Sequence, residues 1–385
     1  MDRLRAEICG IGAVTGYGWG REQLWEGLGS GVSAVQLHDG YGEALGDKIW
    51  VARVPEGGSE ADGPSRFARA LRASAREAVE DAYGRGWRPG PRVGLVHCVV
   101  LGEVDLWRDF YLTENGKLAP RRYLNLMPST PISMLMKEFG FHGPAMNVTA
   151  MCASGSAGLL TAQAWLATGM ATDVLLVATD ISATPENVLH FRDLGAAVVD
   201  SPPADACRPF QEGSRGFVLG EASVAYVLSG NAARPYARLL GGAMTQDGYH
   251  PISLNPDLEH VRSAFNMALS NAGVAPEDVA YLNAHGPGTA QCDGAEAVML
   301  DELLTKADVY SFKPLIGHCQ AAASALELAA TALSYDRGRI PVPAQVAAGH
   351  PRLLPGPTQM RSGLTVKSAL GMGGYNSVVV VDGPN

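Results

Sequence analysis

The 385-residue sequence lacks an excess of basic residues, which argues against a nucleic-acid-binding function. It has 30 lysine and arginine residues against 39 aspartate and glutamate residues, a formal net charge of −9. Proteins that bind the phosphate backbone need a basic surface. We therefore expect no nucleic-acid partner, and an acidic protein partner would have to dock on a local basic patch.

Long apolar runs are also absent. No stretch approaches the roughly 18 consecutive apolar residues of a membrane-spanning helix. The first residues, MDRLRAEICGIGAVTG, do not have the layout of a signal peptide. We expect a cytoplasmic protein with no membrane association. With 46% hydrophobic and 18% charged residues, the composition is that of a globular chain with one large core or two domain-sized cores.

Cysteine is scarce and scattered, and no two cysteines form a CxxC pair. The six positions are Cys9, Cys98, Cys152, Cys207, Cys292 and Cys319. In a reducing cytoplasm, most such cysteines are small buried apolar residues. A metal site built from Cys292, Cys319 and neighbouring histidines would have none of the usual zinc spacings, so we expect no metal.

The remaining pattern alternates buried strands with amphipathic helices. RVGLVHCVV and DVLLVATD are continuous apolar runs typical of strands covered on both faces, and a helix is predicted from about Arg66 to Tyr83. This predicts an α/β fold with helices on both sides of a sheet. The opening glycines, in EICGIGAVTGYGWG, have the wrong spacing for a dinucleotide-binding loop, and a tight strand-to-helix turn explains them better.

Two segments share one architecture. CASGSAGLLTAQAWLATG (152–169) and HCQAAASALELAATALSYDRG (318–338) each begin with a reactive residue type, continue as a helix of small residues and end at glycine. We infer an internal duplication from this shared architecture. Close packing of the two helices would bring Cys152 and His318 together at their N-terminal ends.

Cys152 is the candidate nucleophile. The start of a helix stabilises a thiolate through its dipole and its unpaired N–H groups, so we predict a nucleophile that needs no adjacent base. A buried, inert cysteine is the alternative on this stretch alone. Three later stretches favour the nucleophile: His285 follows a strand in NAHGPGT, SFKPLIGH contains Lys313 and His318, and a glycine-rich loop spans 371–374.

In this order, the motifs resemble the β-ketoacyl-acyl carrier protein synthases, the elongating condensing enzymes of the thiolase superfamily. The resemblance runs from GIGAVTG to the closing GMGGYN and rests on five segments. These are AMCAS at Ala150–Ser154, HGPGT at His285–Thr289 with Asp293 and Glu296, Lys313 with Gly317-His318 and Glu327, GMGGYN at Gly371–Asn376, and RPFQEGSRGFVLGEA at 208–222.

The resemblance implies a thiolase fold with two pseudo-symmetric βαβαβ-type halves in a five-layered α-β-α-β-α core. Residues 1–230 would form the half with the cysteine, and residues 231–385 the half with both histidines. The implied catalytic residues are Cys152, His285, His318, Lys313 and Glu327. Thr289, Met372, Gly371, Gly373 and Gly374 are implied to bind the substrate.

The implied reaction is a decarboxylative Claisen condensation. Cys152 takes an acyl group from a carrier-protein thioester, and the N–H groups of Cys152 and Met372 hold the oxyanion. His285 and His318 stabilise the enolate that forms when a malonyl thioester loses CO₂. No cofactor of the protein's own is implied, because the phosphopantetheine arm belongs to the carrier protein. The resemblance also implies a dimer, either of identical subunits or with a chain-length-factor subunit.

The sequence departs from the family pattern around the substrate. Ala150 and Pro287 replace threonines, Met372 replaces a phenylalanine, Tyr375 replaces a threonine, and Arg215 replaces an aspartate. Methionine adapts to irregular ligands, so the accepted acyl chain is expected to be unusual. By analogy, this favours specialised polyketide or polyene metabolism. A chain-length-factor-like subunit with little catalysis, a housekeeping fatty-acid synthase and, remotely, a cysteine hydrolase stay open as alternatives.

Carrier proteins are acidic, so a basic docking patch is expected. Arg66, Arg69, Arg72 and Arg76 are predicted on the solvent side of the helix that buries Phe67 and Leu71. An ordinary solvated arginine face explains the same pattern equally well.

Overall fold

A computed structural model describes residues 6–113, 123–230 and 233–384. The strands are β1 Ala6–Thr15, β2 Gly18–Trp19, β3 Gln36–His38, β4 Ile49–Val51, β5 Val93–Cys98, β6 Ala145–Val148, β7 Asp173–Asp180, β8 Ala222–Ser229, β9 Ala237–Gln246, β10 Val279–Asn283, β11 Asp308–Tyr310, β12 Arg339–Ile340, β13 Thr358–Gln359, β14 Leu364–Gly371 and β15 Tyr375–Asp382.

The α-helices are α1 Arg21–Ser30, α2 Arg66–Gly84, α3 Val104–Arg108, α4 Ser129–Phe139, α5 Ser154–Ala167, α6 Pro185–Asp193, α7 Pro203–Ala206, α8 Glu259–Ala272, α9 Ala290–Glu302, α10 Lys313–Ile316 and α11 Ala323–Arg337. Short 3₁₀ turns include Gln320–Ala322, directly before α11. None of the helices formed by the described residues combines the length and the apolar character that crossing a bilayer requires.

The main sheet consists of two halves with the same strand order. One half runs β6-β5-β7-β8-β1 and the other β11-β10-β14-β15-β9. The five strands of each half, numbered along the chain, therefore lie in the order 3-2-4-5-1. In both halves, strands 3, 2 and 4 of that order run parallel to one another, and strand 5 runs antiparallel to strand 4. This repeated topology confirms the predicted duplication. The predicted boundary at residue 230 stays a prediction, and residues 231–232 lie outside the described part.

The halves are covered by helices on their outer faces and share a helical middle layer. Helix α2 packs on β1, β7 and β8, and α8 packs on β9 and β15. Helices α5 and α11 contact each other, and each also contacts strands of both halves. The order of layers is therefore α-β-α-β-α, as the family resemblance implied.

The two middle helices approach closely because their facing residues are small. A Cβ atom added at Gly155 of α5 would lie 2.6 Å from the backbone nitrogen of Ala325 in α11. The N–H of Ser156 donates to the hydroxyl of Ser324 at 3.0 Å. Side-chain atoms have no room between these helices, and this explains the alanine, glycine and serine content of both segments.

The first strand uses its glycines for packing. Gly10 and Gly12 lie in β1, and a Cβ atom at either position would collide with backbone atoms of Ala78 or Ser74 in α2. The following turn leads through β2 to α1, which begins at Arg21. The two glycines thus allow α2 to pack closely against β1. The strand-to-helix turn that the sequence predicted follows them in the chain.

Candidate active site

Three segments bring Cys152, His285 and His318 together. Cys152 lies between β6 and α5, His285 follows β10, and His318 lies between α10 and the 3₁₀ turn before α11. The sulfur of Cys152 and a ring nitrogen of each histidine lie within 4.8 Å of one another. The two imidazole centroids are 5.3 Å apart, and all three side chains are buried. The convergence that the sequence predicted is therefore present.

A strained turn presents the cysteine. Met151, the preceding residue, has a φ of 49°, in the left-handed region that side chains other than glycine rarely adopt. The hydroxyl of Ser154 fastens this turn, because it accepts from the N–H of Ala150 at 2.9 Å and donates to the carbonyl of Met151 at 2.6 Å. Helix α5 begins at Ser154, so Cys152 lies two residues before the first helical turn.

Burial keeps the resting sulfur protonated. It raises the pKa of Cys152 to about 11, although the positive charge of Lys313 and the N–H groups of Met372 and Cys152 act to lower it. Groups that stabilise a thiolate are therefore present, but the loss of solvation outweighs them in the resting site. The prediction of a nucleophile that needs no adjacent base stays a prediction. The same two N–H groups are those that the resemblance assigned to the oxyanion.

His318 is fixed by a short β-like pairing with residues 218–220. Its N–H donates to the carbonyl of Val218 at 2.7 Å, and its carbonyl accepts from Gly220 at 3.0 Å. Nδ1 accepts from the N–H of Gln320 at 3.1 Å, so the neutral ring has its proton on Nε2. The ring of Phe217 packs edge-on with a centroid distance of 4.6 Å. Burial and then Lys313 hold the pKa of His318 well below its ordinary value.

His285 has the same tautomer for a different reason. The ammonium of Lys313 lies 3.4 Å from Nδ1, and an ammonium can only donate, so the neutral ring has its proton on Nε2. Burial, followed by the charge of Lys313, holds the pKa of His285 well below its ordinary value. The site therefore contains two neutral imidazoles, each with an Nε2–H donor.

The acidic pair after His285 shapes the loop that contains this histidine. Glu296 accepts from the N–H groups of His285 and Gly286 at 2.7 and 2.8 Å. Asp293 accepts from Phe210 at 3.0 Å and from Gly288 at 3.1 Å. Both carboxylates are largely buried, and burial raises the pKa of Asp293 to about 7. Glu296 thus binds backbone donors of the loop, and Asp293 joins the loop to the backbone of Phe210.

A buried ionic cluster supports the histidines from behind. Lys313 forms an ion pair with Glu327 of α11, and its ammonium also donates to the carbonyl of His285. A second ammonium, that of Lys367 in β14, lies 2.6 Å from Oε2 of the same glutamate. Lys313 and Glu327 are among the residues that the family resemblance implied, whereas Lys367 is not. The available signal was a lysine inside an apolar strand, LTVKSAL.

The glycine-rich loop is the tight turn between β14 and β15. Gly373 and Gly374 both have a φ of 83°, and the N–H of Gly374 donates to Gly371 at 3.1 Å. A Cβ atom at Gly374 would lie 2.6 Å from the Cβ of Asp247. These positions require glycine, and the resulting turn places the N–H of Met372 at the Cys152 sulfur.

A cavity of about 250 Å³ opens onto the three central residues. Thr289, Gly371 and Met372 line it, whereas Gly373 and Gly374 support it from the turn. One side is apolar, with Phe191, Leu194 and Phe217, and the remaining lining includes Ser253, Gln291 and Cys292. The cavity thus joins the Cys152 sulfur and two N–H donors to a surface suited to an apolar chain.

The predicted docking arginines do not form a free basic face. Arg66 is buried, since its guanidinium pairs with Glu221 at 2.7 Å and donates to the carbonyl of Val54. The prediction that Arg66 lies on the solvent side of α2 is therefore wrong. The cause is the buried carboxylate of Glu221, which the helical periodicity did not reveal.

The other three arginines are paired with nearby carboxylates. Arg69 lies 3.0 Å from Glu56. Arg72 lies 2.7 Å from Glu138 and Arg76 lies 2.7 Å from Asp62. Since these acids neutralise the positive charge of α2, nothing in the geometry singles out this helix as a basic patch.

Comparisons with known proteins agree with this geometry. The family model "Beta-ketoacyl synthase, N-terminal domain" matches residues 56–233, and "Beta-ketoacyl synthase, C-terminal domain" matches residues 236–346. The tetracenomycin polyketide synthase ketoacyl synthase alpha subunit of Streptomyces glaucescens is 29% identical over 99% of this chain and 97% of its own. The 3-oxoacyl-[acyl-carrier-protein] synthase 2 of Staphylococcus aureus (strain MRSA252) is 26% identical over 98% of each chain.

Solved structures share the fold. A type II polyketide ketosynthase, bound to a hexaketide and in complex with its acyl-carrier protein, superposes with a TM-score of 0.85 at 22% identity, covering 100% of both chains. A ketosynthase from Xenorhabdus doucetiae in complex with its chain length factor also gives 0.85, at 21% identity, covering 99% of this chain and 98% of that chain.

Proposed function

The chain belongs to the β-ketoacyl synthase family, whose members are acyltransferases, and we propose that it condenses an acyl group on Cys152 with a malonyl group carried by an acyl carrier protein. The observation that supports this most directly is the meeting of one thiol and two neutral imidazoles within 4.8 Å. The product is a β-ketoacyl thioester on the carrier.

In the first half-reaction, the sulfur of Cys152 attacks the thioester carbonyl of the acyl carrier. The charge of Lys313 and the N–H of Met372 stabilise negative charge on the sulfur as its proton departs. In the tetrahedral intermediate, the N–H groups of Cys152 and Met372 bind the oxyanion. The pantetheine sulfur leaves and takes up one proton, so that thiol and thioester exchange without net change of charge.

In the second half-reaction, the malonyl thioester loses CO₂, and the electron pair of the broken C–C bond moves into an enolate. The Nε2–H groups of His285 and His318 donate to the enolate oxygen, where charge develops in the transition state. The enolate carbon attacks the acyl carbonyl on Cys152. The tetrahedral intermediate then releases the cysteine sulfur, which regains a proton from solvent.

Lys313 and Glu327 are proposed to orient His285 and to keep it neutral. The protein needs no bound cofactor in this scheme, because the phosphopantetheine arm arrives with the carrier protein. Thr289, which lines the cavity beside His285, is proposed to bind that arm. Gly371, Gly373 and Gly374 are proposed to shape the oxyanion site.

The test is mass spectrometry of the intact protein after incubation with acyl-carrier proteins, followed by malonyl-carrier protein. We expect an acyl adduct on Cys152, release of CO₂ and a β-ketoacyl product. A chain-length-factor-like subunit would acquire no adduct. A cysteine hydrolase would release free acid without any condensation product, and would leave Lys313 and the second imidazole without a function.

We further propose that the condensation serves a specialised type II polyketide or polyene pathway. Pro287 and Met372, two departures from the family pattern, both line the cavity. The relative from Streptomyces glaucescens is a polyketide synthase subunit by name. Competition between acyl carriers tests this: a preference for saturated fatty acyl chains over β-keto or unsaturated ones would favour the housekeeping alternative.

A second subunit is proposed to pair along β6. Within the described residues, this strand is hydrogen-bonded on one side only, to β5, and Met146 on it is exposed. An edge strand of this kind is a template for pairing with another chain. The partner is either an identical copy or a chain-length-factor-like subunit. Light scattering of the purified chain, alone and co-expressed with such a subunit, tests both, and the substitution Met146→Lys should yield monomers.

A further inference from the structure

The proposed mechanism gives no function to Lys367, whose charge is buried behind the histidines. The residue is fully buried in β14, between Val366 and Ser368. Burying an ammonium is strongly unfavourable unless partners replace its water. An apolar residue at this position of the strand would be less costly to bury, so the contacts of the ammonium must account for its presence.

Those contacts reach beyond the strand. The β10–β14 ladder ends at the pair Asn283–Lys367. The Lys367 ammonium donates to the carbonyls of Ala284 at 3.0 Å and Ser368 at 2.8 Å. Ala284 is the first residue after β10, and its carbonyl carbon is bonded to the nitrogen of His285. The lysine therefore extends the attachment of β14 to the segment that contains this histidine.

The same ammonium joins a second element to the first. It lies 2.6 Å from Oε2 of Glu327, whose other oxygen pairs with Lys313. Lys313 contacts both the ring and the carbonyl of His285. Lys367 thus contacts the backbone next to His285, and Lys313 contacts its ring. Glu327 of α11 pairs with both lysines.

We propose that Lys367 is a positioning residue for His285, aligning its Nε2–H donor with the enolate oxygen. This inference rests on the proposed condensing function. The hydroxyl of Ser154 fastens the Cys152 turn, and the hydrogen bond from Gly374 to Gly371 closes the turn that presents the N–H of Met372. Neither of these contacts includes the ammonium. Lys367 therefore matters for decarboxylation of the malonyl thioester and has little influence on acyl transfer to Cys152.

The experiment compares the two half-reactions in Lys367→Met, which has a similar length and no charge. The control is Lys306→Met at an exposed lysine outside the site. We expect decarboxylation at saturating malonyl-carrier protein to fall by about tenfold or more, as for a misplaced catalytic group, while acyl transfer changes by less than about threefold. A purely structural lysine would lower both rates in parallel, and that result, or an unchanged ratio, overturns the proposal.

A second readout is independent of catalysis. Amide hydrogen exchange should accelerate by about tenfold in residues 284–290 of Lys367→Met and stay unchanged in α2, because the loss of the lysine loosens the histidine loop locally. Should the methionine variant fail to fold, Lys367→Gln is measured in the same way. Unchanged exchange in residues 284–290 overturns the proposal. A wild-type chain inactive in both half-reactions contradicts the proposed function instead.

Discussion

The imidazole rings of His285 and His318 stand at 79° to each other with their centroids 5.3 Å apart. Each ring has its Nδ1 occupied by a donor, the Lys313 ammonium in one case and the Gln320 N–H in the other. Both rings consequently present protonated Nε2 atoms, and two separate parts of the chain supply equivalent hydrogen-bond donors to one cavity.

Removing either donor should slow decarboxylation. For His285→Ala and for His318→Ala we expect the rate of CO₂ release from malonyl-carrier protein to fall by about 10²–10³, the usual effect of losing one donor to a developing oxyanion. The control is His142→Ala at an exposed histidine. If either site variant retained the wild-type rate, the assignment of that histidine to the enolate would be lost.

Removing the nucleophile should separate the half-reactions. We expect Cys152→Ala to abolish the acyl adduct completely while malonyl decarboxylation changes by less than about tenfold, because the imidazole donors do not depend on the sulfur. Intact-protein mass spectrometry and CO₂ release measure the two quantities. An adduct that persisted in this variant would place the nucleophile elsewhere.

The reactivity of Cys152 should titrate at high pH. Because burial raises its pKa to about 11 from an ordinary value of 9.0, the sulfur is a thiol at neutral pH, and its alkylation by iodoacetamide should accelerate until the pH approaches about 11. Lys313→Ala should move the midpoint higher, since the positive charge of Lys313 acts to lower the pKa of this thiol.

The control for this titration is Cys152→Ala. Its labelling by iodoacetamide is subtracted as background from that of the unsubstituted protein. A midpoint below neutral pH would instead support the thiolate that the position before helix α5 first suggested.

The imidazoles should show no titration near 6.5, the ordinary pKa of histidine, because the pKa values of both rings lie well below it. We expect the rate of malonyl decarboxylation to stay level as the pH falls through 6.5 and to decline only at lower pH. An acid limb centred on 6.5 would mean that the rings are more solvated than the structure shows.

The contact between α5 and α11 should be intolerant of added volume. Gly155→Ala is expected to lower the free energy of unfolding by about 1–3 kcal/mol, because its Cβ atom meets the backbone of Ala325. Gly294→Ala, at an exposed position of α9 with no atom nearby, should raise it by about 0.5–1 kcal/mol. Denaturant unfolding measures both. Equal effects would show that the helices can separate to accommodate the methyl group.

The sequence predicted the site residues better than their electrostatic state. The order of the motifs correctly grouped Cys152, His285 and His318 in one predicted site. Each of these residues lies next to a strand or helix that the pattern of apolar residues predicts. The state of the thiol depends instead on how completely three distant segments exclude water from it. That property belongs to the assembled cavity, and no local pattern contains it.

Ion pairs between distant parts of the chain could not be predicted from the sequence for a related reason. Arg66 has the helical spacing of a surface residue, yet it pairs with Glu221, which lies 155 positions away. Lys367 likewise finds Glu327 only because β14 and α11 meet behind the histidines. The helix bounds, in contrast, were close to the prediction, as for Arg66–Gly84, because caps and periodicity are local: Ser65 accepts from the N–H of Ala68 at the start of α2.

The glycine at 155 has an evolutionary consequence. Its helix and the one that contains Ala325 occupy equivalent positions in the two halves, between the third and fourth strands of each, and leave no room for a Cβ atom at position 155. A mutation that enlarges a facing residue in one copy can persist only if the other copy gives up matching space. Since Cys152 precedes one of these helices and His318 precedes the other, a change of volume in either helix reaches residues of the site from both halves.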